Sequence, residues 1–201
     1  MIISWHGFNY FKLKNTNNSL IFNPYGLDKV TKFAKANADL ILFSDPSQIA
    51  NTKLNKDAFI VDSPGEYEVS DIFVYGRQIK DKIIYYVVME GIKIAFLGEF
   101  GHDDLSNGDL ELIEGADILI LPVGGGDLTT SKEASKLIQQ VEPRVVIPSC
   151  HKAGSGKLKV DNVADFVKEF GVKPEEEDKY KIKKKDLPQE DVKLIILKTQ
   201  K

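Results

Sequence analysis

Three histidines, one cysteine and dispersed carboxylates bound the chemistry open to this chain of 201 residues. His102 follows Glu99 closely, in Gly101-His102-Asp103-Asp104. An unperturbed imidazole titrates near neutrality, so His102 is a candidate acid or base. The competing reading makes it a surface or capping histidine. The aspartates beside it, with Ser106, read as caps for a following helix, because such side chains accept orphan backbone N–H bonds. Cys150 and His151 are adjacent. Neighbours on a strand point to opposite faces, which places them badly as a nucleophile and base. Cys150 therefore reads as a small buried hydrophobe. His6, beside Trp5, reads as a partly buried strand or turn residue. Gly124-Gly125-Gly126-Asp127 leads from an apolar run towards a helix signal, a setting that can cradle phosphate. It lacks the Lys-Ser/Thr of a P-loop and the spacing of a dinucleotide fingerprint, so a tight turn is the better reading. Lys152–Lys157 also has the wrong glycine spacing and reads as a cleft rim.

These residues need elements to hold them. Ile2–Trp5, Tyr10–Leu13 and Leu20–Phe22 are short strand candidates, separated by Gly7 and an asparagine-rich turn. The spacing of Leu27, Val30, Phe33 and Ala34 predicts a helix over Leu27–Asn37. Ala38–Phe43 reads as a buried strand. Phe59–Val61, Tyr67–Val69 and Ile72–Tyr75 are expected to form an antiparallel set. Ile83–Met89 and Ile92–Leu97 flank Glu90-Gly91, a hairpin signal. Helices are expected at Asp109–Glu114, Ser131–Val141 and Val160–Phe170, alternating with strands at Ile118–Val123 and Val145–Pro148. That alternation implies helices layered on a sheet. In the charged tail, Lys179–Lys183 and Val192–Leu197 read as edge strands or a terminal hairpin, and Glu175–Asp178 as a solvated turn.

The totals exclude several classes. A net charge of −3 argues against a dedicated nucleic-acid binder, and the basic run Lys181–Lys185 sits among acids. One cysteine allows no internal disulfide and fits a reducing cytoplasm. The first residues do not read as a signal peptide, and no apolar run approaches the length of a membrane span. The expected organisation is one domain over residues 1–201, located in the cytoplasm.

The order of short motifs resembles the metallo-β-lactamase superfamily, in particular its small bacterial Zn-dependent-hydrolase-like branch. Ile3–Leu13 is similar to the family's first hairpin and Ile21-Phe22-Asn23-Pro24-Tyr25 to its Ile-Asp-Pro turn. Ala38–Ser44 is similar to the strand that leads to its metal loop. Ser63-Pro64-Gly65-Glu66-Tyr67-Glu68-Val69 matches one subgroup. Ala95–His102 resembles the strand that ends in a bridging aspartate. Leu121–Gly126 and Val146–His151 resemble the last two core strands. The resemblance covers nearly the whole chain and implies an α/β fold, a four-layer αββα sandwich.

It also implies a metal site, and this chain departs from it. The family's loop reads Ser/Thr-His-x-His-x-Asp-His, whose side chains hold zinc and so acidify a bound water for attack. The corresponding stretch here is Ser44-Asp45-Pro46-Ser47-Gln48-Ile49-Ala50-Asn51. The ligand positions become Asp45, Ser47, Ile49 and Ala50, and only Asp45 binds metals strongly. Gly76–Lys82 holds none of the family's next histidine. The bridging aspartate corresponds to Glu99, and the last histidine survives as His151. The resemblance thus implies a vestigial pocket around Asp45, Ser47, Glu99, His102 and His151. No cofactor is expected there. Were an ion held, Asp45, Glu99 and His151 are its ligands, and Zn²⁺, Mn²⁺ or Fe²⁺ its identity. The expected function is a non-catalytic scaffold that binds a small molecule or protein partner, a second copy of the chain included. The alternatives are a hydrolase with an altered single-metal site and a regulatory subunit of an intact paralogue.

Overall fold

The computed structural model describes residues 1–25, 36–101, 104–126, 128–152 and 159–200. Short apolar alternations make the strands. In β2 (Phe11–Lys14) Phe11 and Leu13 are buried while the lysines between them turn outward. With β1 (Ile2–Trp5), β3 (Ser19–Phe22), β4 (Leu40–Leu42), β5 (Phe59–Val61) and β13 (Tyr180–Lys181) it forms a six-stranded sheet, ordered β13-β1-β2-β3-β4-β5. An eight-stranded sheet contains β6 (Gly65–Val69), β7 (Ile72–Ile79), β8 (Lys82–Met89), β9 (Ile92–Phe96), β10 (Ile118–Pro122), β11 (Val145–Ser149), β12 (Pro174–Glu177) and β14 (Lys193–Leu197). Its order is β12-β14-β11-β10-β9-β8-β7-β6.

The sheets stack through a shared core of Ile3, Trp5, Phe11, Phe22, Tyr85 and Phe96, with aliphatic neighbours from both. Phe22 and Phe96 lie face to face at 4.2 Å across the sheets. A second apolar layer joins the outer face of the larger sheet to α1 (Asn107–Ile113), α2 (Ser131–Val141) and α3 (Val163–Phe170). A third, with Ile21, Ile41 and Phe43, lies on the outer face of the smaller sheet. The helices start at side-chain caps. Ser106 with Asp109 and Thr130 with Glu133 form reciprocal capping boxes. Helix α2 buries Ala134, Leu137, Ile138 and Val141, one stripe at helical period.

The two-sheet α/β architecture is the fold that the resemblance implies. Four local expectations are corrected. Phe59–Val61 does not join the antiparallel set: β5 runs parallel to β4 in one sheet, while β6 pairs antiparallel with β7 in the other. The chain changes sheets between Val61 and Gly65. Glu175–Glu177 is not a turn but most of an edge strand, whose backbone pairs with apolar β14 while the carboxylates face solvent. β14 itself is interior, between β12 and β11, so it is neither an edge nor a hairpin partner of β13. The third helix begins at Val163 rather than Val160, because Asn162 caps it. Most of the expected helix Leu27–Asn37 lies outside the described residues; Ala36 bridges Leu54.

The topology sets the position of the site. Strands β3 and β4 run parallel, as do β9, β10 and β11. Their carboxyl ends lead into Asn23, Ser44, Gly98, Val123-Gly124 and Cys150-His151. Residues just past the carboxyl ends of parallel strands are the usual floor of a site in α/β folds.

Tyr85 ties the sheets together at that end. Its hydroxyl donates to the Phe43 carbonyl at 2.8 Å, with the Val61 carbonyl 3.2 Å away. Tyr85→Phe leaves these buried carbonyls poorly satisfied and should lower unfolding free energy by about 1–2 kcal/mol in urea titrations, at unchanged m-value.

Candidate functional site

Ser44 ends the β4 segment and fixes the first wall of the site. Its N–H donates to Asn23 Oδ1 at 2.7 Å, and its carbonyl accepts from Ile83 N at 2.8 Å. Gly98 faces it: a Cβ there would lie 2.8 Å from Ser44 Oγ and 3.9 Å from Asn9 Nδ2. Gly98 also has a φ of +61°, so a side chain is excluded on both counts. Cys150 closes the floor, with its N–H on the Phe8 carbonyl and its thiol 3.8 Å from the Gly98 carbonyl. Gly124 packs so tightly beneath it that a Cβ would approach Cys150 O to 2.0 Å. Gly98 and Gly124 therefore serve close packing. The Gly125 N–H is already committed to Thr129 O, which supports the tight-turn reading over a phosphate cradle.

Asp45 caps the 3-10 turn Pro46–Asn51. Its Oδ1 accepts from Ser47 N at 3.0 Å and from Ser47 Oγ at 2.6 Å. Its Oδ2 lies 3.4 Å from Gln48 Nε2. Ser47 is exposed, and Ile49 packs partly into the outer apolar layer. Glu99 forms an ion pair with Lys82, which sits at the start of β8. Both side chains are largely buried, at 12% and 24% exposure. Burial alone depresses the Lys82 ammonium, but the Glu99 hydrogen bond and charge outweigh it, so its pKa is raised. Tyr25 lies within the electrostatic reach of Glu99, Asp45 and Cys150; burial first, then these neighbours, pushes its phenol far up.

His151 is buried. Its ring packs on Trp5 with centroids 4.5 Å apart, and Nδ1 lies 3.4 Å from Lys152 O. Burial pulls its pKa down to about 4, and the Lys152 carbonyl offsets this only weakly. The imidazole is neutral at physiological pH, and Nε2 has no hydrogen-bond partner. The Cys150 thiol is pushed far up by burial, which removes it as a nucleophile. Both residues lie beyond the end of β11, so the opposite-face argument gives way to a different one: they diverge because Cys150 is left-handed, at φ 55°. His102 lies outside the described residues.

The structure brings together polar groups that sequence reasoning left out. Asn9 has both amide atoms unpartnered, as are Asn23 Nδ2, Ser44 Oγ and Thr129 Oγ1. The Tyr25 hydroxyl also has no bond of normal geometry, although the Asp45 main chain is close. Asn9, Asn23 and Ser44 are contiguous around Gly98, each within 1% of full burial. Asn23 and Tyr25 flank Pro24 in the turn after β3, the one signal that could have marked them. Lys82, in a charged hairpin, carried none.

The described residues do not fit the zinc pair that the resemblance implies. Zinc needs three or four convergent nitrogen, sulfur or oxygen donors. Among the described residues no group of three His, Cys, Asp or Glu side chains stands close enough to hold an ion. Asp45 is committed to a cap, Glu99 to an ammonium, and His151 faces Trp5.

Residues 2–150 match the family described as the Beta-lactamase superfamily domain. Among solved structures, the chain is similar to a proposed Zn-dependent hydrolase of the metallo-β-lactamase superfamily from Thermotoga maritima. The two share 26% identity over 98% of this chain and 99% of the other, with a TM-score of 0.82. A proposed metal-dependent hydrolase from Parabacteroides distasonis matches at 16% identity and TM-score 0.63, over 98% and 93% of the chains. A metallo hydrolase from the archaeon Ignicoccus hospitalis matches at 11% identity and TM-score 0.63, over 100% and 96%. The last two show the fold alone.

The buried neutral His151 predicts an acid sensitivity with a defined sign. Its folded pKa lies below the unfolded value of 6.5. Above that value it contributes no slope. As pH falls from 6.5 towards about 4 the unfolded state takes up the proton first and stability is lost, on the order of 3 kcal/mol. Unfolding titrations of wild type and His151→Gln across this range should converge as the pH falls, because the variant lacks this slope.

Proposed function

Because this chain belongs to the Beta-lactamase superfamily, and its described residues do not assemble that fold's metal centre, we propose that it works as a binding scaffold rather than by two-metal hydrolysis. The Lys82–Glu99 ion pair carries this reading. Where the resemblance sets a metal-bridging carboxylate, a carboxylate persists, but its counter-charge is an ammonium from the chain itself. A carboxylate so neutralised has little left to offer a cation. Apart from Asp45, which is held in its cap, the surrounding hydrogen-bonding groups are neutral: two asparagines, a serine, a tyrosine and an uncharged histidine. Unpartnered buried groups cost about 1–3 kcal/mol each unless something bonds to them. Such a lining suits a polar, uncharged molecule, or a loop of a protein partner offering amide and carbonyl groups.

A single-metal hydrolase built on Asp45, Glu99 and His151 is the second reading. The observation in its favour is the neutral His151 with Nε2 unpartnered, the state in which imidazole binds metals. In that reading an ion would polarise a substrate or acidify water.

Elemental analysis of protein purified without chelator separates the two. The scaffold reading expects substoichiometric zinc, manganese and iron, and no thermal stabilisation on adding them. Stoichiometric metal that disappears in His151→Ala overturns it. Substitutions at the ion pair give an independent check. Lys82→Met strands Glu99 and should destabilise by about 1–3 kcal/mol, with much of that recovered in Lys82→Met/Glu99→Gln. A Glu99 that serves a metal would leave Lys82 dispensable.

A further inference from the structure

The outer face of the smaller sheet holds a second site, unrelated to the mouth. On β1 and β2 the inward positions are Ile3, Trp5, Phe11 and Leu13, so Ser4 and Lys12, which pair across the strands, point the other way, as do Ile2 and Lys14. Together with His6, Lys179 and Gln200 these residues line a groove of about 310 Å³. Its rim carries three ammonium groups and no carboxylate.

Lys80, Lys82, Lys184, Lys193 and Lys198 each have an acidic partner. Among the described residues, Lys12, Lys14 and Lys179 have no carboxylate within ion-pair distance, and they differ from other unpaired lysines in that all three line one groove. Lys12 spends one donor on the Asn37 carbonyl at 2.9 Å, which leaves two. Asp39 exerts a weak pull on Lys12, but it is engaged by Ser19. His6 sits in this field, stacked on Tyr10 at 4.6 Å, with Nε2 at 3.3 Å from Ser4 Oγ. For a chain of net charge −3, this is a concentrated local excess of positive charge.

We propose that the groove binds a small molecule through a dianionic phosphate group. Three compact ammonium charges beside an imidazole can address several phosphate oxygens at once, since lysine binds phosphate as a point charge, whereas Gln200 Nε2 is already spent on the Asp178 and Lys198 carbonyls and Ser4 Oγ on the Lys12 carbonyl. The volume is at the small end of ligand sites. A polymer is disfavoured by what lies beyond the rim. Lys179 also borders a neighbouring depression of mixed charge, where Glu175, Glu177, Asp178 and Asp186 outnumber Lys181 and Lys193, so a longer polyanion would leave the positive field there.

His6 supplies the readout. Burial lowers its pKa most, followed by the charges of Lys12 and Lys179; Tyr10 and Ser4 are its neutral neighbours. A bound dianion opposes those charges and raises the pKa. The experiment titrates inorganic phosphate and phenyl phosphate into the full chain at fixed ionic strength, following the His6 imidazole by NMR. Saturable binding is expected, with the His6 pKa rising on saturation. Tighter binding of phenyl phosphate assigns a monoester ligand, and equal binding the free ion. Lys12→Gln/Lys179→Gln should raise the His6 pKa without ligand, abolish the further rise with phosphate and weaken binding by about tenfold or more. Lys132→Gln/Lys136→Gln on α2, both exposed, should change neither. The proposal is overturned if chloride reproduces the phosphate effect, if the groove variant binds like wild type, or if only an oligonucleotide binds.

Discussion

The stack of Phe22 on Phe96 is the contact on which the rest depends. It presses the centre of one sheet onto the centre of the other, with Trp5, Phe11 and Tyr85 around it. Offset aromatic contacts of this kind contribute beyond their buried area. Their larger consequence is positional. Phe22 is the last residue of β3 and Phe96 the last of β9, so the next residues, Asn23 in one case and Leu97-Gly98 in the other, leave the core at the same place. Ser44 arrives there from β4, beside β3, and Cys150 from β11, separated from β9 by β10. A floor made by chain ends locked from behind has little freedom, which is why glycine is needed where Ser44 and Cys150 approach Gly98 and Gly124.

This geometry says what the mouth can tolerate. Metal ligands converge by bringing several lone pairs towards one point, and that arrangement is stable only with a cation at the centre. Replace most of those donors with Ser47, Ile49 and Ala50 and the remaining carboxylates lose their common partner. Asp45 then bonds to the backbone N–H two residues on, a local solution available to any aspartate before a helical turn. Glu99 is largely buried and has no such local option. An unpaired carboxylate at that depth would be costly, and Lys82 resolves it across the sheet. The uncharged polar atoms of Asn9, Asn23 and Ser44 cluster around Gly98 without internal partners, so this end of the sheets stays polar where most of the metal ligands are missing.

Much of this was legible in the residues. Apolar runs such as Ile118–Pro122 and the Glu90-Gly91 turn specify strands and a hairpin locally, and the turn indeed has both residues at positive φ. The side chains at 45, 47, 49 and 50 speak for themselves chemically. What was not legible depends on contacts between distant segments. Nothing in Asp62-Ser63-Pro64 tells which sheet the next strand joins. Glu175–Glu177 contains no apolar residue, and it is a strand only because β14 offers it an edge. Lys82 reads as one more charge in a turn until the fold brings Glu99 to it. The orphaned polar atoms are of the same kind: an asparagine in a loop becomes informative only when its burial is known.

The two described histidines show how far environment, rather than residue type, decides a role. Both have pKa values pulled below the ordinary imidazole range, and for both the largest cause is loss of water. His151 has no charge acting on it, so nothing short of unfolding or a direct ligand on Nε2 changes its state across physiological pH. His6 is depressed further by Lys12 and Lys179, whose charges are mobile, partly solvated and open to compensation. An anion in the groove weakens that repulsion and eases protonation, and the added positive charge then strengthens anion binding in turn. This reciprocity is a linkage required by thermodynamics once the two events share a field. It gives the outer face a responsiveness that the mouth, where Glu99 is held by Lys82, lacks.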